Sequence, residues 1–183
     1  ERASQIAERW GIPFFLAMML DIRGLVEEKK ISDYFLETHQ IMDPFSLIDM
    51  EKAVNRIRQA IDRYEKICVY GDYDADGVTS TTILYSYLES CAANVIYYIP
   101  KRMTEGYGLN RGAVECLKEQ GVSLIVTVDN GIASVSEVEY ANQLGMQVVI
   151  TDHHKPQAEL PPAVAVVDPH RQDCTSTFKN YAG

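Results

Sequence analysis

Residues 66–80 have the sequence K-I-C-V-Y-G-D-Y-D-A-D-G-V-T-S, in which an apolar run passes into alternating aspartates and a glycine. Ile67–Gly71 is a short apolar run, which is typical of a buried strand. Aspartates then alternate at Asp72, Asp74 and Asp76, and the glycine after them permits a sharp entry into a helix. A buried strand that passes through an acidic turn into a helix predicts the first unit of a parallel sheet.

Short apolar runs continue to alternate with amphipathic helices downstream. The predicted strands are Ile67–Gly71, Asn94–Pro100, Ser123–Val128, Met146–Thr151 and Ala163–Val167. The predicted helices between them lie near Val78–Ser90, Arg111–Gln120 and Ser134–Leu144. This alternation indicates βαβ units, and therefore an α/β fold with a mainly parallel five-stranded sheet and flanking helices.

The first 65 residues are predicted to form a helical N-terminal segment. After Ser46, where S-L-I-D has the form of a capping box, apolar residues recur at three- and four-residue steps. Shorter helices are predicted at Pro13–Val26 and Ser32–Glu37. The predicted division is therefore a helical lead-in over residues 1–65 and an α/β domain over residues 66–183.

Acidic and histidine residues follow the predicted strands at the point where each strand ends. Asp72, Asp74 and Asp76 follow the first strand, Asp129 follows the third, and Asp152, His153 and His154 follow the fourth. The carboxyl ends of parallel strands share one edge of the sheet, where such folds place their ligands. Close carboxylates resist joint ionisation unless cations lie among them, and oxygen-rich ligands with imidazoles suit Mn²⁺ or Mg²⁺. Two such ions could clamp a phosphoryl group and activate water.

Each of these motifs also has a purely structural or calcium-binding interpretation. An EF-hand also begins with alternating acids and a glycine, but it requires Glu six residues after the glycine, where this chain has Ile83. Asp and Gly after a strand are often simple turn residues, and Asn130-Gly131 is a common turn dipeptide. His153 and His154 could be structural. The joint occurrence of the motifs, in order and at strand ends, favours a functional site.

Composition narrows the class of protein further. The chain has 183 residues, 46% of them hydrophobic, and no apolar run approaches the ~20 residues of a membrane span. The four cysteines are scattered without a C-x-x-C pair, so we expect a reduced, cytoplasmic protein. The formal net charge of −9 argues against a broad basic surface for nucleic acid. Bound divalent cations would, however, reverse the field near the clustered acids.

Three motifs carry a resemblance to a known family. V-Y-G-D-Y-D-A-D-G-V-T-S-T, V-T-V-D-N-G-I and V-I-T-D-H-H-K-P resemble the first three motifs of the DHH phosphoesterase superfamily, named for Asp-His-His. Within it, D-I-R-G-L-V, D-P-F-S-L-I-D-M-E-K-A-V-N-R-I and Y-I-P-K-R-M-T-E-G-Y-G-L resemble the RecJ-type exonucleases, and the likeness extends over essentially the whole chain.

The resemblance implies a role for each matching residue. The implied metal ligands are Asp74, Asp76, Asp129 and His153. Asp72 and Asp152 would be nearby catalytic acids, either ligands or residues that orient ligands. His154 would face the scissile phosphate and donate to a developing oxyanion. Arg102 and Lys155, close in sequence to the acidic edge, are the preferred phosphate contacts, although each could be ordinary surface charge.

The activity implied by the resemblance is hydrolysis of single-stranded DNA from a 5′ end, in DNA repair and recombination, with two Mn²⁺ or Mg²⁺ ions in the complete enzyme. A DHH enzyme for short oligoribonucleotides, cyclic dinucleotides or phosphoadenosine phosphate is one alternative, and a non-catalytic replication scaffold is another. Single-stranded DNA is the expected partner, with no membrane involved.

The family's fourth motif supplies a further metal-ligating Asp downstream of the D-H-H. The chain ends at Gly183 without it, and Asp168 lies too early to take that role. We therefore expect an N-terminal fragment, truncated before the fourth motif, with weak or no nuclease activity by itself.

Overall fold

The computed structural model describes residues 1–35, 43–176 and 179. Contacts divide the chain into two compact units, Glu1–Ile41 and Met42–Gly183. The first unit contains the helices α1 (Arg2–Trp10), α2 (Phe14–Ile22) and α3 (Glu28–Phe35). Ile6, Leu20 and Ile31, from these three helices, meet in its small apolar core. No helix in the described part of the chain is both long enough and apolar enough to span a bilayer.

The second unit alternates strands and helices. Its helices are α4 (Met50–Asp62), α5 (Ala75–Ser90), α6 (Arg111–Glu119) and α7 (Val135–Gln143), with a short 3₁₀ helix at Pro44–Ser46. Its strands are β1 (Ile67–Tyr70), β2 (Val95–Tyr98), β3 (Leu124–Val128), β4 (Gln147–Thr151) and β5 (Ala165–Val167). All pairs are parallel, in the order β2-β1-β3-β4-β5. The predicted α/β fold with a parallel five-stranded sheet is therefore confirmed.

The sheet is buried on both faces, which explains its nearly continuous apolar strands. Along β1, Cys68 and Tyr70 belong to the core beneath α6 and α7, whereas Ile67 and Val69 belong to the core beneath α4 and α5. Successive side chains of a strand point to opposite faces, so each strand supplies both cores.

The strand order creates a switch point beside β1. The chain leaves β1 to form β2 on one side and then crosses to form β3 on the other side. Ligands of open α/β sheets bind outside the carboxyl ends of the strands at such a point. The D-Y-D-A-D-G and D-N-G turns, after β1 and β3, therefore flank the place where this architecture favours a site.

Two features at the N-terminal side differ from the sequence-based predictions. The prediction of a capping box at Ser46 is wrong. α4 begins at Met50, and its N-cap is Asp49, which has φ 62 and makes no side-chain cap bond. Ser46 instead ends the 3₁₀ helix, whose N-cap Asp43 accepts from the amide of Phe45. The helix predicted at Ser32–Glu37 begins earlier, as α3, and the last two positions of that prediction lie outside the described residues.

The position of α4 bears on the domain division. Ala53 and Ala60 of α4 lie in the same apolar cluster as Ile67 and Val69 of β1. Because this helix packs on the sheet, the compact unit begins one helix before the boundary predicted between residues 65 and 66.

Candidate metal centre

The turn after β1 depends on a close approach of backbone to backbone. Asp74 is the N-cap of α5, and its Oδ1 accepts a hydrogen bond from the amide of Gly77 at 2.9 Å. A Cβ on Gly77 would lie 2.6 Å from the carbonyl oxygen of Asp72. Glycine is required here because any side chain would push the first turn of α5 away from β1.

The three aspartates of this turn differ in their surroundings. Asp72 is 1% exposed, and its Oδ1 has no hydrogen-bond partner among the described residues. Asp74 and Asp76 are exposed at the start of α5. A buried carboxylate oxygen without a donor is costly, so the site has unmet demand for positive charge.

The turn after β3 places Asp129 at the same edge. Asp129 has φ 61, a left-handed conformation that Asp adopts more readily than most residues. Its neighbour Asn130 is fully buried and donates to the carbonyls of Tyr70 and Val128. Gly131 follows at φ 105, packed against the side chain of Thr127. This tight turn directs the carboxylate of Asp129 towards the turn after β4.

The turn after β4 brings two histidines and a third carboxylate. Nε2 of His153 lies 2.9 Å from Oδ1 of Asp129, and Nδ1 of His154 lies 2.7 Å from Oδ1 of Asp152. Asp152 also accepts hydrogen bonds from the backbone amides of Ile132, His153 and His154. These donors occupy both of its oxygens. Asp152 therefore contacts the ring of His154 and three backbone amides, and its role as a ligand or as a residue that orients ligands stays a prediction.

The geometry fits a divalent cation. One ligand atom each from Asp129, His153 and His154 lies within 4.8 Å of the others. Adjacent ligands of an octahedral ion at about 2.1 Å lie about 3 Å apart, close to the 2.9 Å between Asp129 and His153. Oxygen and imidazole donors without a thiolate suit Mn²⁺ or Mg²⁺.

The electrostatics of the site agree with this fit. Burial, together with the nearby charge of Asp74, raises the pKa of Asp129 to about 6. Burial lowers the pKa of His154, but the hydrogen bond to Asp152 and the charges of Asp152 and Asp129 outweigh it and raise the pKa. The site thus concentrates negative charge, and a cation would relieve it.

Comparison with known proteins places this site in a family. The sequence model described as the DHH family, N-terminal domain, matches residues 66–180. The chain belongs to the DHH family. The matched residues include all three turns of the candidate metal centre, with the sequence Asp-His-His at residues 152–154.

Curated relatives of this DHH protein are exonucleases. The chain is 45% identical to the single-stranded-DNA-specific exonuclease RecJ of Bacillus subtilis, over all of this chain and 23% of that protein. It is 43% identical to RecJ of Escherichia coli over 75% of this chain and 24% of that protein. The chain thus spans about a quarter of the length of these relatives.

Solved structures of RecJ exonucleases are also similar to this chain. A crystal structure of exonuclease RecJ bound to manganese matches with a TM-score of 0.68 and 33% identity, over 74% of this chain and 35% of that chain. RecJ from Thermus thermophilus in complex with Mn²⁺ matches with a TM-score of 0.66 and 25% identity, over 96% of this chain and 24% of that chain.

The predicted site residues lie at different distances from the centre of the candidate site. Asp129, His153 and His154 form the tight cluster, whereas Asp74 acts on Asp129 through its charge. The guanidinium of Arg102 lies 5.3 Å from the centre of the Tyr73 ring, in the acidic turn. Lys155 lines a cavity of about 380 Å³ together with His154 and Tyr107. Asp76 lies in the first turn of α5 and is not part of this tight cluster.

Sequence reasoning missed Tyr107. Its hydroxyl donates to the backbone carbonyl of Asp129 at 3.0 Å and lies 3.3 Å from Nδ1 of His154. Burial and the charge of Asp152 raise the pKa of Tyr107, so the hydroxyl keeps its proton. The sequence feature that could have drawn attention to Tyr107 is its place between two glycines in E-G-Y-G-L. That pattern does not show where the side chain points.

Proposed function

We propose that this DHH domain is the metal-dependent phosphodiesterase centre of an exonuclease that degrades single-stranded DNA from the 5′ end. The observation that carries the proposal is the cluster of Asp129, His153 and His154 at the carboxyl edge of a parallel sheet. Relatives that are named single-stranded-DNA-specific exonucleases support this substrate and reaction.

Mn²⁺ or Mg²⁺ would be held by Asp74, Asp76, Asp129 and His153. The manganese-bound solved RecJ structures support this choice of ion. When bound, such ions polarise the phosphoryl group and supply an activated water. Asp72 is buried, and its Oδ1 has no hydrogen-bond partner in the described part of the chain. It would complete the negative environment that retains the ions.

His154 is proposed to face the scissile phosphate. Its Nδ1 is engaged by Asp152, which fixes the ring and leaves Nε2 for the substrate. The side chain is 49% exposed, compared with 25% for His153, so it is the more accessible of the two imidazoles. A protonated ring in this position would donate to the oxygen on which charge develops.

Arg102 and Lys155 are proposed to bind the phosphates of the strand. Arg102 lies over the Tyr73 ring, and this cation–π contact limits the directions in which its guanidinium can reach. Lys155 directly follows His154 and lines the adjoining cavity. Both would hold the backbone of the substrate without reading its sequence.

Because DNA is the proposed substrate, the cytoplasm is the proposed location. All four cysteines are free, as a reducing compartment would require.

The first test of the proposal is to measure Mn²⁺ binding by this chain with calorimetric titration. We expect binding by the chain and a large loss of affinity in Asp129→Asn, which keeps the shape of the side chain but removes its charge. Bound metal should also raise the melting temperature, since a ligand at a hundredfold excess over Kd stabilises by about 2.7 kcal/mol.

The second test uses the natural polypeptide that carries this sequence. With Mn²⁺, it should shorten 5′-labelled single-stranded DNA stepwise and leave duplex DNA and dinucleotides largely intact. Rapid cleavage of dinucleotides, with long strands untouched, would favour a DHH enzyme for small substrates. Strand binding without cleavage would contradict the proposed hydrolysis.

A further inference from the structure

Tyr107 reaches the metal centre from a different part of the chain than any of the aspartates or histidines. It lies in the segment between β2 and α6, which we name the Tyr107 segment (residues 101–109). Its hydroxyl donates to the carbonyl of Asp129, 22 residues away in sequence, at 3.0 Å. Its ring also packs edge-on against His154, with 5.9 Å between ring centres.

The contact with Asp129 falls on a strained residue. Asp129 has φ 61, a conformation in which a residue with a side chain is held only when its surroundings favour it. Its amide donates to the carbonyl of Thr151 at 3.1 Å, and its carbonyl accepts from Tyr107. The peptide groups on both sides of the strained residue are therefore fixed, and Tyr107 supplies one of the two bonds.

The single proton of the Tyr107 hydroxyl determines which atom donates in its contact with His154. The hydroxyl of Tyr107 has one proton, which it gives to Asp129, so towards Nδ1 of His154 it acts as an acceptor at 3.3 Å. Nδ1 also lies 2.7 Å from Oδ1 of Asp152, which can only accept when ionised. Both neighbours favour a proton on Nδ1, which leaves Nε2 facing away from them.

The Tyr107 segment is itself held firmly. Gly106 and Gly108 both have φ 78, which lets the chain turn on each side of Tyr107. Tyr70, fully buried, donates to the carbonyl of Gly108 at 3.0 Å, and Tyr98 donates to the carboxylate of Glu105. The hydroxyl of Tyr107 is thus aimed by a fixed segment.

We propose that Tyr107 is a positioning residue of the metal centre. It holds Asp129 in the left-handed conformation that turns its carboxylate towards His153, and it supports the ring of His154. The proposal rests on the proposed function, because it assumes that Asp129 and His153 bind the ion. It also links the Tyr107 segment, which carries Arg102, to the residues that would perform the chemistry.

The test is Tyr107→Phe in the full 183-residue chain, which removes the hydroxyl alone. Titration with Mn²⁺ should show an affinity about threefold to tenfold lower, the effect of one lost hydrogen bond. In the metal-free chain, hydrogen exchange of the amides in the turn at residues 129–132 should become at least about threefold faster. The melting temperature without metal should change little, because Tyr107 is 53% exposed.

Tyr140→Phe is the matched control. It also removes a tyrosine hydroxyl bonded across elements, to Glu115 at 2.7 Å, but neither residue belongs to the site. Its Mn²⁺ affinity and its exchange at residues 129–132 should equal those of the unchanged chain. A hydroxyl with a purely structural role would lower the melting temperature of the metal-free chain and leave Mn²⁺ affinity unchanged.

Unchanged exchange, or unchanged Mn²⁺ affinity, in Tyr107→Phe would overturn the positioning role, as would equal effects in Tyr140→Phe. Failure of the unchanged chain to bind Mn²⁺ would instead overturn the proposed function. The exchange rates, recorded without metal, would still show whether Tyr107 holds the turn of Asp129.

Discussion

Asp129 and Asp152 are buried carboxylates that contact the two histidines of one turn, His153 and His154, but their surroundings differ. Asp152 receives three backbone amides and the ring of His154. Asp129 faces Nε2 of His153 and the charge of Asp74, and its pKa is raised to about 6. A carboxylate already supplied with donors orients its neighbours, whereas one short of them is suited to hold a cation.

The division of roles between Asp129 and His154 leads to a prediction for each. Asp129→Ala should abolish both Mn²⁺ binding and hydrolysis, because it removes the carboxylate at the centre of the cluster. His154→Ala should leave Mn²⁺ affinity largely intact and slow single-turnover cleavage by about 10²-fold or more, as expected for a lost donor to an oxyanion. Calorimetry and single-turnover kinetics of the natural polypeptide measure the two effects.

Equal loss of Mn²⁺ affinity in both variants would contradict this division and make His154 a metal ligand. The cluster geometry makes the comparison informative, because His154 offers a ligand atom within 4.8 Å of the other two residues. Tyr140→Phe, on the surface between α6 and α7, serves as a variant that should change neither quantity.

At the scale of elements, the junction of β1 and α5 is the tightest point beneath the site. A Cβ on Gly77 would come within 2.7 Å of three backbone atoms of Asp72. Backbone atoms cannot rotate away as a side chain would, so the helix itself would have to move. Asp74 and Asp76 lie in the first turn of that helix and would move with it.

Gly77→Ala should therefore destabilise the protein by about 1–3 kcal/mol and weaken Mn²⁺ binding. Gly112→Ala in α6 is the matched control, because its Cβ would meet only Oδ1 of Asn110 at 3.5 Å. Alanine is the better helix former, so this control should raise stability by up to about 1 kcal/mol. Urea denaturation of both variants, followed by Mn²⁺ titration, measures the contrast.

If Gly77→Ala were as stable as Gly112→Ala, the close approach of α5 to β1 would not be required for folding. If it were destabilised but bound Mn²⁺ normally, the first turn of α5 would not position ligands. Either result would contradict the prediction that the packing of α5 against β1 positions the metal ligands.

At the scale of the whole molecule, a salt bridge joins residues 122 positions apart. Nη1 of Arg171 lies 2.7 Å from Oδ2 of Asp49, and it also donates to the carbonyl of Val166 in β5. Asp49, at the start of α4, accepts from the amide of Val166 and from Lys52 as well. The bridge holds α4 to the edge strand of the sheet.

This bridge should make stability depend on pH. Burial raises the pKa of Asp49, but the hydrogen bonds from Lys52, Arg171 and the amide of Val166 outweigh it and hold the pKa below its usual value of 3.8. A lowered folded-state pKa contributes stability that is complete above the unfolded value and is lost as pH falls through the folded value. Asp49→Asn should thus cost about 1–2 kcal/mol at pH 7, and the difference should shrink below about pH 4.

Asparagine suits this test because it tolerates the φ of 62 at this position. Chemical denaturation of the two proteins between pH 7 and pH 3 gives the difference in unfolding free energy. Glu51→Gln, an exposed change in the first turn of α4, is the control and should show little difference at any pH. A loss in Asp49→Asn that stayed constant to pH 3 would show that the carboxylate charge is not what stabilises the junction.

The parallel sheet could be predicted from the sequence, and so could the meeting of Asp129 with His153 at one edge of it. Runs such as Ile67–Tyr70 and Leu124–Val128 are buried on both faces, so their apolar character is a local signal of a parallel strand. The carboxyl ends of parallel strands meet at one edge. The convergence of Asp129 with His153 could therefore be predicted from the parallel direction of the strands, without their order or any distance.

The tertiary structure decided the features that depend on contacts between distant segments. α4 begins after Asp49 and not at the local capping pattern of Ser46. The carboxylate of Asp49 binds Arg171, which follows β5 in the chain. The three amides that donate to Asp152 are brought to it by the turns after β3 and β4. Tyr107 reaches Asp129 because Tyr70 and two left-handed glycines fix its segment. Side-chain hydrogen bonds depend on the path of a loop through space, and local periodicity carries no information about that path.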